Sequence, residues 1–120
     1  MRLLISGPRV FHSDERFKAG MLSIPQKPKP KTILCAGAYG VEAMARKYAN
    51  ANKLKYKCIT PKWKKHGVMA YHYNHKRLIK AADAALIYTD NLCPFTHALV
   101  LECQRRGLPF RTFDVYGFTR

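Results

Sequence analysis

Residues 32–49 read Thr-Ile-Leu-Cys-Ala-Gly-Ala-Tyr-Gly-Val-Glu-Ala-Met-Ala-Arg-Lys-Tyr-Ala, and this stretch decides the fold. Its first part, Thr32–Ala36, is an apolar run between a lysine and a glycine, which is typical of a buried parallel strand. After the glycines, apolar residues recur at helical spacing with polar residues on the other side, at Val41, Met44, Ala45, Tyr48 and Ala49. A strand, a glycine turn and a helix in this order form a βα unit, so we expect a Rossmann-like α/β fold.

The rest of the chain repeats this alternation. Further runs with strand character are Arg2–Ser6, Tyr56–Thr60, Asp83–Thr89 and Pro109–Val115. Helical patterns cover part of 12–24, with Ser13 or Asp14 as the N-cap, then 68–82, and Phe95–Arg106 with Gly107 as its stop. Pro25–Lys31 is an exposed proline- and lysine-rich connector, and Lys62–Gly67 is a basic-aromatic loop. We predict one domain over residues 1–120, with three layers and a mainly parallel sheet of about five strands.

The charge is strongly positive and unevenly distributed. The net charge is +15, and no acidic residue occurs between Ala43 and Ala82. Such a block attracts nucleic acid or phosphorylated ligands, although a solvated face that keeps a small protein soluble gives the same pattern. The candidate nucleic-acid contacts are Arg46, Lys47, Lys62, Lys64, Lys65, Lys76, Arg77 and Lys80.

Composition also bears on location, metals and assembly. No apolar run approaches the ~20 residues that span a bilayer, and the apolar N-terminus is too short for a signal peptide, so we expect a cytoplasmic protein. The four cysteines form no CxxC pair and are expected to be reduced; they are Cys35, Cys58, Cys93 and Cys103. Four histidines could form a zinc site, because His72 and His75 are three residues apart; the other two are His66 and His97. Histidines that line a pocket would give the same pattern, so we assign no metal or cofactor. Homo-oligomerisation is left open, and so short and basic a chain would suit a phage or mobile element.

The glycine turn is the best candidate binding site. Ligands of open α/β sheets bind outside the carboxyl ends of the strands, where the strand order reverses. This turn would let the backbone approach a phosphate at the start of the following helix; it consists of Gly37, Ala38, Tyr39 and Gly40. Arg9 would add a bidentate contact to the same phosphate. A tight turn without a ligand remains the alternative.

Four further side chains are candidates for this site, and each has a structural alternative. Trp63 could stack on a base, as could Tyr39, or cover a core edge. Thr96 could bind phosphate or serve as an N-cap, and Asp90 could bind ribose hydroxyls or only stabilise a turn. Glu42 gains from the helix dipole whether or not a ligand is present.

Three motifs together resemble the YspA-like branch of the SLOG superfamily, which also includes the LOG-type nucleotide phosphoribohydrolases and the DNA-processing protein DprA. They are Ser6–Arg9, Cys35–Ala45 and Trp63–Gly67, and they occur in the family's order over nearly the whole chain. The resemblance implies a Rossmann-like domain that binds nucleotides or derivatives such as ADP-ribose. The matching positions are Gly7, Arg9, Gly37, Gly40, Glu42 in place of the usual aspartate, Trp63, His66 and Gly67.

Two departures from the family pattern separate binding from catalysis. Tyr71–His75 replaces a G-P-x-R-N element, and Asn91–Thr96 replaces a glycine-rich P-G-G-x-G-T turn of which only the threonine remains. The glutamate that follows this threonine in the LOG-type enzymes is absent, so Glu42 or Asp90 would have to act as the acid. We therefore predict a protein that senses or sequesters a nucleotide; an N-glycosidase and a nucleic-acid-binding module using the basic 46–80 region are the alternatives.

Overall fold

Strands and helices alternate along the chain. The computed structural model describes residues 1–9, 11, 13–25, 29–37, 40–90 and 94–115. Within this part the strands are β1 (Arg2–Ser6), β2 (Thr32–Cys35), β3 (Lys55–Cys58), β4 (Ala84–Thr89) and β5 (Phe110–Asp114). The helices are α1 (Asp14–Leu22), α2 (Val41–Ala51), α3 (Trp63–His66), α4 (Ala70–Ala81) and α5 (Pro94–Arg106), with a 3-10 turn at Gly67–Met69 between α3 and α4.

All five described strands are parallel, in the order β3-β2-β1-β4-β5. The order reverses between β1 and β4, because the chain builds outward from β1 to β3 and then crosses back. This confirms the α/β prediction with a parallel sheet and gives the Rossmann-like arrangement its switch point.

Helices cover both faces of the sheet, as the continuous apolar strands require. On one face, α1 and α2 bury Phe17 and Val41 against Leu3, Ile33 and other inward residues. On the opposite face, α4 and α5 bury Leu78 and Leu99 against Leu4, Leu34 and Ile87. The alternation of Leu3 and Leu4 between the two cores follows from the two-residue period of a strand.

Tyr88 is the largest fully buried side chain and joins β4 to α1. Its hydroxyl donates a hydrogen bond of 2.6 Å to the Phe17 carbonyl oxygen. Its ring stacks on Phe17 at 5.3 Å between centroids and meets the edge of Phe113 at 5.7 Å. Gly20 lies over this ring, since a Cβ atom there would be 2.5 Å from the tyrosine oxygen and 2.6 Å from Cζ.

The predicted elements occur, with shifts at their ends. Ser13 is the N-cap of α1, and its hydroxyl accepts a 3.2 Å hydrogen bond from the Arg16 backbone N–H. The third strand is Lys55–Cys58 rather than Tyr56–Thr60, because its pairing with β2 ends at Cys35, where that chain turns away. The fourth and fifth strands begin one residue later than predicted, at Ala84 and Phe110.

The prediction of a loop at Lys62–Gly67 was wrong. Residues Trp63–His66 form a single helical turn, and Gly67 ends it with a φ of +56°. The lysine-rich segment carries no apolar periodicity, so its sequence gives no helical signal. The predicted 68–82 helix is correspondingly divided into the 3-10 turn and α4. Within the described residues, no helix combines the length and apolar character needed to cross a bilayer.

Candidate functional site

Three connections meet at the carboxyl edge of the sheet. Because β2, β1 and β4 are neighbours and parallel, the segments that follow Cys35, Ser6 and Thr89 emerge side by side. The N-terminus of α2 comes from one face of the sheet and that of α5 from the other. The crevice between β1 and β4 therefore has helix N-termini on both sides, an arrangement that favours anions.

Gly7 and Gly40 bring the first two connections into contact. A Cβ atom on Gly7 would be 2.7 Å from Val41 Cγ2 and 2.8 Å from Tyr88 Cβ. Gly40 has a φ of +70°, and a Cβ there would meet the carbonyl oxygens of Pro8 and Arg9, the latter at 2.5 Å. The Val41 N–H donates to the Pro8 oxygen at 3.3 Å, so the two connections meet through main chain at Gly40, whereas Gly7 packs against side chains. Arg9 extends from it with an exposed side chain.

Glu42 has a structural contact that sequence reasoning missed. The residue is only 4% exposed, and its carboxylate accepts a hydrogen bond from the Ala36 backbone N–H. It thus reaches back from the first turn of α2 to Ala36, directly after β2. As a catalytic acid or a direct ligand contact, Glu42 is poorly placed, because its carboxylate is buried and bonded to main chain.

Gly37 opens the other side of the same turn. It is exposed, with a φ of +83°, and a Cβ atom there would be 2.6 Å from Cys58 Sγ and 3.3 Å from Thr60 Cγ2. Gly37 therefore lies against the end of β3 as well as beside the crevice. Ala38 and Tyr39, the remaining predicted members of the turn, lie outside the described residues.

The two thiols beneath the turn are held in their protonated forms. Cys35 and Cys58 are direct partners in the pairing of β2 and β3. Burial raises the pKa of Cys35, the Glu42 carboxylate raises it further, and the Tyr56 hydroxyl opposes this by hydrogen bonding. Burial and then Glu42 also raise the pKa of Cys58, against the effect of the Arg46 guanidinium. A raised pKa lowers the fraction of thiolate, the form that acts as nucleophile, at neutral pH.

Residues after β4 are only partly described. Asp90 is half-buried, whereas Asn91–Cys93 lies outside the described residues. Thr96 is 3% exposed and is the third residue of α5, so its alternative assignment as an N-cap is wrong. As a first-turn residue, Thr96 remains at the end of α5 that faces the carboxyl edge.

The basic-aromatic motif occupies a different part of the edge. Trp63, His66 and Gly67 follow β3, the outer strand of the sheet, and α3 packs against the 3-10 turn and α4. The His66 ring lies 4.5 Å from the Tyr73 ring, and Trp63 is 47% exposed. A Cβ atom on Gly67 would meet open space. These residues lie two strands away from β1 and are not contiguous with the Gly7–Gly40 junction.

The predicted basic face is divided by the sheet. Arg46 and Lys47 are exposed on α2, whereas Lys76, Arg77 and Lys80 belong to α4 in the opposite layer. The treatment of 46–80 as one face was therefore wrong, because a linear charge run does not distinguish helices that pack on opposite faces of a sheet.

Asn74 was not predicted to have a role and is nearly inaccessible, with 1% of its surface exposed. Its amide donates to the Ile59 carbonyl oxygen at 2.7 Å, and its side-chain oxygen accepts from Arg77 at 3.4 Å. It thereby fixes α4 to the carboxyl end of β3. The spacing of Ala70, Asn74 and Leu78 by four residues was the available signal, since it places a polar side chain on an apolar helical stripe.

His75 is expected to make folding stability depend on pH. Burial between the helices lowers its pKa from 6.5 to about 4, and neighbouring His72 lowers it while Glu102 on α5 raises it. The unfolded state therefore binds more protons between these values, so stability is fully present above pH 6.5 and falls as the pH drops towards 4. We expect a loss of about 2 kcal/mol, discounted for partial exposure.

Urea unfolding at pH 4.5 and 7 would measure this dependence. A His75→Phe variant should flatten the profile between these pH values, whereas His97→Phe, at an exposed position on α5, should not. An unchanged profile in His75→Phe would contradict the assignment.

Among the described residues, no group of three or more histidine, cysteine or acidic side chains is arranged to hold a metal ion. Comparisons with protein-family models, with curated proteins and with solved structures gave no significant match.

Proposed function

We propose that this protein binds a nucleotide or nucleotide derivative, such as ADP-ribose or a mononucleotide, and senses or sequesters it. The observation that carries the proposal is the main-chain contact of Gly40 with the Pro8–Arg9 connection, at the switch point of the sheet. A Cβ atom on Gly40 would meet the carbonyl oxygens of Pro8 and Arg9, so no side chain separates the β1 connection from the start of α2. Such close access to main-chain groups suits the compact, multiply charged phosphates of a nucleotide.

The phosphate would lie on the Gly37 side of the turn and towards Arg9. The positive end of the α2 dipole points to this edge, and Arg9 is exposed beside it. The Glu42 carboxylate is buried and accepts a hydrogen bond from the Ala36 N–H, so a phosphate would approach the turn from the solvent side. Two further candidates follow β4 and border the crevice from that side. Thr96 was predicted to contact phosphate and Asp90 to contact ribose hydroxyls.

Binding is favoured over cleavage by the placement of the acids. Glu42 is bonded to main chain, which leaves Asp90 as the candidate acid for the alternative, a nucleotide N-glycosidase. Incubation of AMP or a deoxynucleotide with the protein and analysis for free base would distinguish the two. Release of base that is lost in Asp90→Asn would favour the enzyme.

A Gly37→Asp substitution should weaken nucleotide binding at least tenfold. Its carboxylate would add a negative charge beside the proposed phosphate, and like-charge repulsion there costs more than about 1.4 kcal/mol. The new side chain would also contact Cys58 Sγ, so Gly37→Asn, which has the same contact without the charge, should bind at least fivefold more tightly than Gly37→Asp. Calorimetric titration with ADP-ribose, AMP, NAD and cyclic nucleotides would measure the change. Thermal shift provides the first screen, since a ligand raises the apparent stability by mass action.

Gly107→Asp is a second control, for the added charge and the strained φ at a distant position. Gly107 also has a positive φ, +70°, and is exposed, but it follows α5 at the opposite edge of the sheet, and a Cβ atom there meets open space. Wild-type affinity in this control, together with weaker binding in Gly37→Asp, would support the site. Failure of every mononucleotide to bind, or equal affinity of the two variants, would refute the proposal.

A further inference from the structure

A dense group of exposed cations lies on one side of the sheet, separate from the crevice. On α4, Arg77 and Lys80 are exposed, and α3 adds a second set of lysines at the carboxyl end of β3. We call this group the α3–α4 surface; its exposed cations are Lys55, Lys57, Lys62, Lys64, Lys65, Arg77 and Lys80. No acidic residue occurs between Ala43 and Ala82, and Asp83, which follows directly, is paired with Arg2.

The contacts of α4 make this surface continuous. The Asn74 amide donates to the Ile59 carbonyl oxygen, and Arg77 donates to that of Thr60 at 3.3 Å, which fixes α4 beside the end of β3. Because β3 and β4 are parallel, α4 returns antiparallel to them, from the carboxyl end of β3 towards its beginning.

The β3 lysines belong to the same side. Lys57 pairs with Leu34, whose side chain lies in the core under α4 and α5, so Lys57 stands on that face of the sheet. Lys55 shares this face, since it is two residues away along the strand. Both lysines are exposed on an outer strand, so they extend the cationic group along the edge of the sheet.

Exposed aromatic side chains lie within this cationic group. Trp63 on α3 is 47% exposed and Tyr73 on α4 is 45% exposed, and both rank among the large apolar side chains most exposed to solvent. Tyr73 is four residues before Arg77 and seven before Lys80, so all three lie on one exposed stripe of the helix. The His66 ring, 4.5 Å from that of Tyr73, connects the stripe to α3.

We propose that the α3–α4 surface binds single-stranded nucleic acid. The cations would neutralise backbone phosphates, and the exposed rings of Trp63 and Tyr73 would stack on unpaired bases. Paired bases present no free faces to such rings, and an anionic membrane offers no planar group to stack on them. The combination of aromatic and cationic side chains therefore selects a single strand over a duplex or a lipid surface.

The test measures fluorescence anisotropy of a labelled twenty-nucleotide oligothymidylate between 50 and 300 mM KCl. For about five neutralised phosphates, log affinity should fall with log salt with a slope of about −3.5. Trp63→Ala combined with Tyr73→Ala should weaken binding at least fivefold at constant salt, because stacking on both rings is lost. The same double variant should leave the salt slope unchanged.

Two charge variants localise the interaction. A triple variant within the surface should weaken binding at least tenfold and reduce the slope of log affinity against log salt by about 2; it carries Lys57→Ser, Lys64→Ser and Lys65→Ser. A control triple variant removes the same charge from exposed positions outside the α3–α4 surface and should have at most a threefold effect; it carries Lys18→Ser, Lys29→Ser and Lys47→Ser. Thermal melting of all variants would confirm that they are folded.

The results separate this surface from the nucleotide site. Arg9→Ser, an exposed change on the β1 connection away from β3, should weaken nucleotide binding and bind the oligonucleotide within threefold of the wild type, so failure of the crevice proposal leaves this one standing. The proposal is overturned if the aromatic variant binds normally, or if both triple variants lose affinity equally. Tighter binding to duplex or to phosphatidylserine vesicles than to the single strand would also overturn it.

Discussion

Replacing Gly40 by alanine is expected to lower the free energy of unfolding by about 3–5 kcal/mol, one of the two largest effects expected of a single methyl group here. Part of the cost is backbone strain, since the φ of +70° is one that residues with a side chain rarely adopt. The larger part is steric. The added carbon would meet the carbonyl oxygens of Pro8 and Arg9, which are main-chain atoms and cannot rotate away.

Gly107→Ala separates these two contributions. Its φ is also +70°, but a Cβ atom there meets nothing within 4 Å, so the control carries only the strain, about 1 kcal/mol. Urea denaturation of the two variants would give the steric cost of the junction by difference. Equal destabilisation of the two would mean that the β1 connection yields easily, and that the crevice is not the rigid main-chain structure on which nucleotide binding depends.

The positions of strands and helices were predictable because they depend on local patterns. The apolar run at Thr32–Cys35 followed by a glycine turn and the amphipathic pattern of Val41–Ala51 indicates a strand and a helix whatever the neighbours are. The strand order was not predictable, because pairing of β1 with β4 joins residues about eighty positions apart and no local signal specifies it.

The meeting of the glycine turns at one edge of the sheet was predictable, whereas the contacts of the side chains around them were not. Parallel strands bring Gly7 and Gly40 to one edge, where Gly40 meets the main chain of Pro8 and Arg9 and Gly7 packs against Val41 and Tyr88. The inward contact of Glu42 with Ala36 depends on the direction of one side chain, which spacing does not give. Arg46 and Arg77 lie on opposite faces of the sheet. This placement depends on which face each helix covers, and the order of the strands determines that.

The second large effect is expected at Gly20, where alanine should destabilise the protein by about 3 kcal/mol although it is the better helix former. Within an exposed helix this change would stabilise by about 1 kcal/mol. Here the added carbon would meet the ring of Tyr88, 2.5 Å from its oxygen and 2.6 Å from Cζ. The ring has nowhere to move, because Phe17 stacks on it, Phe113 meets its edge and its hydroxyl is bonded to the Phe17 carbonyl. The steric cost therefore exceeds the gain in helix propensity.

A double-mutant cycle with Tyr88→Leu would show that the clash with this ring is the cause. Tyr88→Leu alone should cost about 3 kcal/mol through lost packing and the lost hydrogen bond. In that background the smaller side chain leaves room for the methyl group, so Gly20→Ala should become neutral or stabilising, with a coupling energy of about 3 kcal/mol. Ala19→Gly, at a half-buried position on the same helix, provides the propensity term without the ring. Additive effects of the two substitutions would show instead that the helix itself, and not its contact with β4, determines the cost at Gly20.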